Sequence, residues 1–486
     1  MLLTLIYTGT ALWLAAYGLN AFILAFLYLR YRKRTPGQPQ VDREALPDVT
    51  VQVPVYNERH VIQRVIDAVA ALDYPRDRLQ IQILDDSTDD TTSIARQRAA
   101  FHRQRGVDIT VLRRPNREGF KAGALSWGLE RARGDYVAIF DADFRPHSDF
   151  LLKTVPYFFD RPRRGMVQTR WSHLNGDYSA LTRAQAMAFD GHFVVEQTGR
   201  DRSGLFMNFN GTAGVWRKAC IEDSGGWEST TLSEDLDLSY RAQLAGWETL
   251  YLPGIDAPAE LPPQLAAFKR QQARWTQGSV QTLRKLVGPL IQSERLNPVQ
   301  KGMALLHLSG YFAQALMVLL LLATPPMLLL GGKPPALGNL GLALALGPPL
   351  VYALSQHALY ADWGRRLLTF PLLTLIGIGI AWNNTIAILR GLTRWGGTFA
   401  RTPKFQVVGK AGQWLHSAYR LGIDRSVIGE AALALYALAG AVIAYGAGRH
   451  GMIPFLLLYA AAFGTVAGIE LFQAMSLHPD RDAASG

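Results

Sequence analysis

Acidic side chains stand at the ends of two predicted strands in this sequence. Glu58 follows the apolar run 49–55, in a segment that also contains Pro54 and Tyr56. Asp86 follows the next apolar run in the same way. A carboxylate at a strand end can hold a nucleotide base or ribose by accepting hydrogen bonds. Turns also favour Asp, Asn and Ser, so either segment taken alone is better explained as an ordinary turn.

Two carboxylates with one residue between them, Asp141 and Asp143, are the candidates for metal chemistry. They follow the apolar run 136–140, where an unpaired carboxylate would be expensive to bury. Their spacing can direct oxygen ligands at a divalent cation that bridges two phosphates, typically Mg²⁺ or Mn²⁺. Upstream, Lys121 enters a predicted helix after a glycine-bearing turn, where it either neutralises phosphate or belongs to an ordinary capped helix.

Two later segments offer the groups that a transfer to a hydroxyl requires. Residues 233–237 contain Glu234, Asp235 and Asp237, and one carboxylate near a sugar can deprotonate an acceptor hydroxyl. Residues 271–275 contain an arginine, which can stabilise a departing diphosphate, and a tryptophan, which can stack on a sugar ring. On composition alone, these residue types are compatible with sugar transfer from a nucleotide sugar but do not establish it.

The order and approximate spacing of these segments resemble family 2 glycosyltransferases of the cellulose-synthase type. The resemblance covers residues 48–286 and extends to the arrangement of the flanking apolar segments. It implies the single-domain, Rossmann-like α/β fold called GT-A, and inversion at the transferred carbon, so that an α-linked donor yields a β-linkage. The motifs that carry it are Glu58, Asp86, Asp141 with Asp143, Ser233-Glu234-Asp235, and Gln271-x-x-Arg274-Trp275.

The resemblance also implies a role for each motif. Asp86 would contact the nucleotide, Asp141 the diphosphate and Asp143 the metal ion. Asp235 would be the general base, with the adjacent Glu234 as an alternative catalytic residue. The donor site would further include Pro54, Tyr56, Glu58 and Lys121, and the acceptor and leaving diphosphate would be bordered by Gln271, Arg274 and Trp275.

A middle segment refines the resemblance towards one kind of polymer. Residues 209–217 look like the corresponding stretch of plant mannan and glucomannan synthases. Cellulose synthases proper usually have cysteine at the position of Asn210. By this likeness Asn210, Gly211 and Thr212 would belong to the acceptor and diphosphate site.

A later loop resembles the gating loop that covers the donor in cellulose synthases. Phe399, Thr402 and Lys404 match the pattern of that loop. Arg401 and Phe405 depart from the valine and glycine that are common there. The implied gating role therefore rests on a partial match.

The composition predicts a protein that is part soluble and part membrane-embedded. Apolar residues make up 49% of the chain, and the mean hydropathy is +0.05. Cys220 is the single cysteine, so no intrachain disulfide can form and a reducing cytoplasm is compatible. The formal charge of +11 comes from basic residues that crowd beside apolar segments. That distribution is typical of cytoplasmic flanks of membrane helices, and nucleic-acid binding is not expected.

Apolar runs at both ends of the chain predict membrane spans. Residues 1–29 contain no charge and are long enough to cross a bilayer core of about 30 Å. Four basic residues within 30–34 follow, which predicts an uncleaved anchor whose C-terminal end faces the cytoplasm. Four further spans are predicted at 302–330, 337–360, 428–447 and 452–472.

The apolar run 367–389 is predicted to lie in the membrane interface or to line a cavity. Counting it as a span would place the loop 390–425, with its seven basic residues, outside the cell. Its central Trp382, Asn383 and Asn384 would be costly against lipid. This assignment keeps the loop in the cytoplasm.

Apolar runs at 49–55, 80–84, 109–112 and 136–140 predict strands, and apolar residues at helical spacing within 59–72 predict a helix between the first two. This alternation is typical of a parallel sheet with helices on both faces.

The predicted organisation has a cytoplasmic α/β domain between membrane segments, in a plasma or inner membrane. Its parts are an anchor (1–29), a basic linker (30–47), the GT-A domain (48–296), two spans (302–360), an interfacial helix (367–390), a gating-like loop (391–427), two spans (428–474) and a tail (475–486).

The predicted function is polymerisation of a β-linked polysaccharide from GDP-mannose or UDP-glucose, with export through the membrane part. The expected partners are the nucleotide sugar, the growing polysaccharide and membrane lipid, with Mg²⁺ or Mn²⁺ as cofactor. One alternative is a non-processive transferase that acts on a lipid acceptor. A transporter with an inert soluble domain is a weaker alternative, because the carboxylates and Trp275 would then have no role.

Overall fold

The structure, a computed structural model, describes residues 2–332, 345–415 and 417–475. Residues 337–344 of one predicted span and the tail after residue 475 lie outside the described residues. The central part of the chain forms a seven-stranded sheet with helices on both faces. This arrangement confirms the predicted α/β fold class.

Four strands form where the apolar runs predict them. Their backbones are parallel, and Val55 at the end of the first strand is level with Asp85 at the end of the second. Both residues therefore deliver the segments that follow them to one edge of the sheet. These strands are β1 (Val49–Val55), β2 (Leu79–Asp85), β3 (Ile109–Leu112) and β4 (Tyr136–Ile139).

Three more strands extend the sheet beyond the four predicted from the sequence. They are β5 (Arg164–His173), β6 (Gly214–Arg217) and β7 (Glu248–Ala259), and the strand order is β3-β2-β1-β4-β6-β5-β7. β6 is antiparallel to both β4 and β5, whereas β5 and β7 are parallel. The expected parallel sheet is therefore corrected to a mixed one. The strand order reverses at β1 and β4, where open α/β sheets place their ligand crevice.

The side chains of β4 alternate between the two faces of the sheet, and both faces need packed apolar residues to bury them. Tyr136 and Ala138 join one buried apolar cluster, while Val137 and Ile139 join a second cluster on the opposite face. The predicted helix at 59–72 is observed over a shorter range. Helices of this unit are α2 (Ile62–Ala70), α3 (Thr91–Arg103), α4 (Phe120–Leu129), α5 (Phe150–Thr154), α6 (Ala180–Asp190), α7 (Thr198–Arg202), α8 (Lys218–Asp223), α9 (Glu234–Leu244) and α10 (Leu265–Gln292).

The remaining helices include the apolar ones. Four helices of the described residues are long and apolar enough to cross a membrane, namely Leu2–Tyr31, Phe312–Leu329, Ser426–Gly446 and His450–Met475. These long apolar helices fit association with a membrane. The helices are α1 (Leu2–Tyr31), α11 (Pro298–Leu308), α12 (Phe312–Leu329), α13 (Gly347–Leu359), α14 (Trp363–Arg366), α15 (Phe370–Gly379), α16 (Ala381–Thr393), α17 (Ser426–Gly446) and α18 (Ile453–Met475).

The run predicted as one interfacial helix is two helices with a bend. α15 and α16 meet at Ile380, and the segments on either side differ in direction by 42°. If the bent pair counts as one span, the number of candidate spans rises from four to five. Asn383 and Asn384 are buried within the protein, and Asn383 donates to the backbone oxygen of Lys269 in α10. Protein contact thus satisfies the amides that lipid could not.

A buried ion cluster ties the α/β unit to the apolar helices. Lys269 of α10 lies 2.8 Å from a carboxylate oxygen of Glu430 in α17 and 2.6 Å from one of Glu470 in α18. All three side chains are almost completely inaccessible. Because removal of one partner would leave a buried charge unpaired, this cluster fixes the position of α10 against both helices.

Candidate active site

The sequence-predicted residues converge on one cleft at the carboxyl ends of β1, β2 and β4. The cleft has an empty volume of about 1230 Å³, its open side included. Thr212 is the exception among the predicted residues, since it is buried behind the wall and accepts a hydrogen bond from the backbone N–H of Asp141. On the wall lie Pro54, Tyr56, Glu58, Asp86, Lys121, Asp141, Asp143, Asn210, Gly211, Glu234, Asp235, Gln271, Arg274, Trp275, Phe399, Thr402 and Lys404.

The backbone is strained at three points around this cleft. Asn57, Phe120 and Ala213 have positive φ angles of 55°, 50° and 55°, a region that L-residues seldom adopt. Phe120 is part of the cleft wall, Asn57 lies between two wall residues, and Ala213 is two residues from Gly211 of the wall. Strained residues persist where the surrounding structure holds them, and they concentrate at functional sites.

The β1 and β2 end of the cleft combines an aromatic ring with paired charges. The guanidinium of Arg117 lies 3.4 Å from the centre of the Tyr56 ring. Arg114 donates to both carboxylate oxygens of Asp86, at 2.8 and 2.6 Å. Asp86 therefore stands where a nucleotide contact was expected, but a bidentate arginine already holds it.

Lys121 joins three groups at the centre of the cleft. Its Nζ donates to Asp141 Oδ1 at 2.7 Å and to the backbone oxygen of Gly211 at 2.9 Å, and lies 3.8 Å from Glu234. Burial lowers the pKa of Lys121, but the neighbouring carboxylates outweigh burial and raise the pKa above its ordinary value. The lysine is therefore a permanent cation at the place where a diphosphate was predicted.

A second lysine faces the other carboxylate of the pair. Lys404 Nζ donates to Asp143 Oδ2 at 2.7 Å and to the backbone oxygen of Glu260 at 3.1 Å. Each carboxylate of the pair thus has one oxygen engaged by a lysine. No group of three or more His, Cys, Asp or Glu side chains is arranged to hold a metal within residues 2–332, 345–415 and 417–475.

These residues fit a divalent ion only if the substrate supplies further oxygen ligands. Lys121 engages Asp141 Oδ1 and Lys404 engages Asp143 Oδ2, so neither lysine holds the second oxygen of either carboxylate. Asp141 and Asp143 would contribute hard oxygens of the kind that Mg²⁺ and Mn²⁺ prefer. Phosphate oxygens of a nucleotide commonly complete such a site.

A third ion pair joins the loop after α16 to the end of β1. Arg401 Nη1 lies 2.8 Å from Glu58 Oε2, and both side chains are 12% accessible. Burial raises the pKa of Glu58 to about 8, although the charge of Arg401 lowers it in part. The arginine that departs from the gating-loop pattern is therefore a wall residue with its own partner.

Asp235 lies in the first turn of α9, beside Gly211. A Cβ on Gly211, whose φ is 81°, would lie 2.8 Å from Asp235 Oδ2, so the close approach requires glycine. Burial, and secondly the charge of Glu234, raise the pKa of Asp235 to about 7. A carboxylate with a pKa near neutrality is matched to general base work. Asp237, by contrast, is fully buried and bound to Arg241 and Lys285, which is a structural environment.

α10 presents three predicted residues at helical spacing. Gln271, Arg274 and Trp275 are three and four positions apart, so they share one face of the helix. The Arg274 guanidinium lies 4.2 Å from the centre of the Phe399 ring, and its Nε is buried without a hydrogen-bond partner. Trp275 packs against Phe189 with ring centres 5.9 Å apart.

Sequence reasoning missed several wall residues. Trp171 joins the aromatic group of Trp275, with ring centres 6.4 Å apart. Of these residues, only Arg401 had a signal in the sequence, because it departs from the valine that is common in the gating loop. The cleft residues not assigned in advance include Arg117, Phe120, Trp171, Ser172, His173, Phe189, Glu260 and Arg401.

Comparison with known sequences gives one family and a consistent set of relatives. Residues 47–278 match the family described as "Glycosyltransferase like family 2". Probable glucomannan 4-beta-mannosyltransferase 4 of Oryza sativa is 43% identical over 281 residues, which cover 57% of this chain and 51% of that protein. Glucomannan 4-beta-mannosyltransferase 2 of Arabidopsis thaliana is 41% identical over 291 residues, covering 57% and 54%. The chain thus spans about half the length of the curated relatives it matches.

Among solved structures, a mannosyltransferase from Pyrobaculum calidifontis in complex with GDP-Man and Mn²⁺ shares the fold. The TM-score is 0.57 at 22% sequence identity, and the alignment covers 80% of this chain and 99% of that one. At this identity the likeness shows the fold alone.

Proposed function

We propose that this chain, whose residues 47–278 are a family 2 glycosyltransferase domain, transfers mannose from GDP-mannose to a growing β-1,4-linked polysaccharide. The observation that carries the proposal is the single cleft that joins the acidic pair at 141–143, the near-neutral Asp235 and the aromatic face of α10. The names of the plant relatives, glucomannan 4-beta-mannosyltransferases, support mannose over the alternative, glucose from UDP-glucose.

In this proposal Asp235 removes the proton of the acceptor hydroxyl. Its carboxylate stands between Gly211 and Glu234, and with a pKa of about 7 a substantial fraction is ionised at neutral pH. The hydroxyl oxygen then attacks the anomeric carbon from the side opposite the diphosphate, which inverts the configuration. Arg274 and Lys121 stabilise the negative charge on the leaving diphosphate, and Trp275 stacks on the acceptor sugar.

A divalent ion, Mg²⁺ or Mn²⁺, is part of the proposal. Asp141 and Asp143 would hold it, and it would neutralise the diphosphate as a Lewis acid. The presence of Mn²⁺ with GDP-Man in the Pyrobaculum calidifontis protein supports this cofactor class. The ammonium groups of Lys121 and Lys404 currently engage one oxygen of each carboxylate.

The apolar helices are proposed to hold the domain at a membrane and to pass the product across it. Support comes from the buried contact of Lys269, two residues before Gln271, with Glu430 and Glu470 on two candidate spans. A lipid acceptor is the alternative that such helices would also serve. The domain boundaries predicted from sequence, and a cytoplasmic catalytic side, belong to this proposal.

The test is an assay of purified full-length protein with labelled GDP-mannose, UDP-glucose and UDP-N-acetylglucosamine, followed by linkage analysis. We expect a long β-1,4-mannan from GDP-mannose. A short glycolipid as the product would instead support the alternative, a transferase that acts on a lipid acceptor. Absence of transfer from every donor would overturn the proposed function.

Topology has its own test with single cysteines in intact cells, after Cys220 is replaced. A cysteine at Thr402 should be shielded from an impermeant reagent outside the cell, and so should one at Arg32. Labelling at Thr402 would place the loop outside and make the bent pair of α15 and α16 a true span. Positions 333 and 480, where further single cysteines would extend this test, lie outside the described residues.

A further inference from the structure

A seven-residue π-helical turn, Gly191–Gln197, links α6 to α7 beside the cleft. π-helical turns are rare and frequently occur at functional sites. The turn places His192 and Glu196 in contact, with His192 Nδ1 3.0 Å from Glu196 Oε2. Neither residue has a role in the proposed function.

The other ring nitrogen of His192 reaches a residue of the cleft wall. His192 Nε2 lies 3.1 Å from Asn210 Oδ1, and Asn208 Nδ2 donates to the same oxygen at 2.9 Å. Asn208 Nδ2 also donates to the backbone oxygen of Phe209, which fixes the orientation of the Asn208 amide. Asn210 Oδ1 therefore accepts twice, and His192 must be the donor in its contact.

This network leaves two buried polar atoms without a hydrogen bond in the described part of the chain, Asn208 Oδ1 and Asn210 Nδ2, and of the two residues Asn210 is the one that lines the cleft. Asn210 Nδ2 is buried and makes no hydrogen bond with the described part of the chain. Since the carbonyl end of the amide is held by His192 and Asn208, Nδ2 is fixed in one direction. A buried donor with no partner is costly, so the arrangement is satisfied only when a ligand brings an acceptor.

The position of Asn210 indicates which ligand this is. The next residue, Gly211, lies beside the Asp235 carboxylate, since a Cβ on this glycine would be 2.8 Å from Asp235 Oδ2, and in the proposed function that carboxylate must reach the acceptor hydroxyl. A chain of rings, each about 5 Å from the next, leads from His192 through Phe193 to Trp171, a neighbour of Trp275.

We propose that His192 and Glu196 are positioning residues that orient the Asn210 amide so that its Nδ2 donates a hydrogen bond to a hydroxyl of the acceptor sugar. The inference rests on the proposed function and assigns part of its acceptor specificity. Glu196 acts through the ring of His192, and the ring acts through Asn210. Both ring nitrogens then donate, Nδ1 to the Glu196 carboxylate and Nε2 to Asn210 Oδ1, which only the doubly protonated ring can do. Burial raises the pKa of Glu196, but the hydrogen bond and charge of His192 lower it further, so the carboxylate is ionised and the ring is held as a donor.

The test is a double-mutant cycle on binding of β-1,4-mannotetraose, followed by tryptophan fluorescence of the full-length protein in detergent. His192→Ala and Asn210→Ala should each weaken binding roughly three- to tenfold, the effect of one hydrogen bond. In the Asn210→Ala background, His192→Ala should cost nothing more, because the contact it supports is already gone. In the transfer assay, the KM for the tetrasaccharide should rise while the KM for GDP-mannose stays unchanged.

Two further variants keep the test decisive. Glu196→Gln preserves the shape of the side chain and should give a smaller loss that also disappears in the Asn210→Ala background. His102→Ala is the matched control, because His102 of α3 pairs with Asp67 of α2 outside the cleft. Its binding of the tetrasaccharide should equal that of the wild type.

Equal losses from His192→Ala in both backgrounds would mean a merely structural role and would overturn the inference. An unchanged affinity in the single variant, or a wild type that does not bind the tetrasaccharide, would overturn it as well. Fluorescence requires no transfer. A wild type that binds the tetrasaccharide with this pattern of losses, but transfers no mannose, would therefore contradict the proposed function alone.

Discussion

The two ends of the cleft differ in how their polar groups are satisfied. At the donor end each carboxylate that the motifs assign is paired with a cation of the chain itself: Asp86 with Arg114, Glu58 with Arg401, Asp141 with Lys121 and Asp143 with Lys404. Among the described residues, polar atoms are buried without hydrogen bonds at both ends, for example Thr402 Oγ1 at the donor end, and Asn210 Nδ2, Gln271 Oε1 and Arg274 Nε at the acceptor end. The two ends therefore differ in their ion pairs, which concentrate at the donor end.

The difference has a physical consequence for each ligand. A nucleotide diphosphate and its cation must exchange ion pairs that already exist, so the net gain at the donor end is a difference between two sets of charge interactions. A sugar at the acceptor end fills hydrogen bonds that are otherwise unmade, so each contact gains the full value of satisfying a buried group. Charge therefore governs the donor end, and shape and hydrogen-bond direction govern the acceptor end.

The largest effect that this comparison predicts is on removal of the divalent ion. Activity should fall to background with excess chelator and return with Mn²⁺ or Mg²⁺, because Lys121 and Lys404 already face Asp141 and Asp143 and the charge of the leaving diphosphate needs a further cation. Asp143→Asn should reproduce the loss. Asp77→Asn, at a side chain that is 81% accessible and outside the cleft, is the control. Full activity in chelator would show that the lysines suffice.

Asp235→Asn should have the next largest effect. The amide keeps the size of the side chain but cannot take a proton, so kcat should fall about a hundredfold to ten-thousandfold while affinity for GDP-mannose is retained. Single-turnover kinetics and nucleotide binding measure the two quantities separately. Near-normal turnover would pass the role to Glu234, which shares the first turn of α9.

The pH dependence of the wild type follows from the same residue. Burial raises the pKa of Asp235 to about 7, and the base works only when deprotonated. The value of kcat/KM should therefore be full above that pKa and fall roughly tenfold for each pH unit below it. The profile of Asp235→Asn should lack this acidic limb. An identical limb in the variant would assign it to another group.

Much of the donor end could be predicted from sequence, because it depends on local order. Strands β1 to β4 are short apolar runs, and Asp86 and Asp141 follow directly where two of those runs end. Parallel strands bring their carboxyl ends to one edge, so adjacency in space follows from adjacency in sequence. Recognition of the motif order added the roles that spacing alone left open.

The remaining strands and contacts had no comparable local signal. β7 contains Pro253, Gly254 and Pro258, residues that usually interrupt a strand, yet it extends over 12 residues. Lys404 and Asp143 are 261 residues apart, and only the folded chain brings them together. The π-helical turn with His192 is likewise invisible in a helical pattern, because one extra residue in a turn does not change the residue types.

A smaller effect is expected from the aromatic surface of the acceptor end. Trp275→Ala should raise the KM for a manno-oligosaccharide roughly tenfold, since the tilted and edge-to-face packing with Trp171 and Phe189 is lost together with the sugar contact. The KM for GDP-mannose should change little. Trp395→Ala, at an exposed tryptophan outside the cleft, is the control. A larger change in the KM for GDP-mannose than in the KM for the oligosaccharide would contradict the division of the cleft into a donor end and an acceptor end.

The smallest effect, and the sharpest test of the ion-pair exchange, concerns Lys404. Its ammonium holds Asp143 Oδ2 at 2.7 Å, so an incoming cation must displace it or share the carboxylate. Lys404→Met keeps the length of the side chain and removes the charge. The concentration of Mn²⁺ required for half-saturation, measured by electron paramagnetic resonance with saturating GDP, should therefore fall severalfold. Lys285→Met also removes an ammonium from two carboxylates, Glu228 and Asp237, but lies outside the cleft and should leave this value unchanged. If Lys404→Met instead raised the Mn²⁺ concentration required, Lys404 would bind the diphosphate together with the ion rather than compete with the ion for Asp143. The loop that contains Lys404 would then complete the donor end rather than block it.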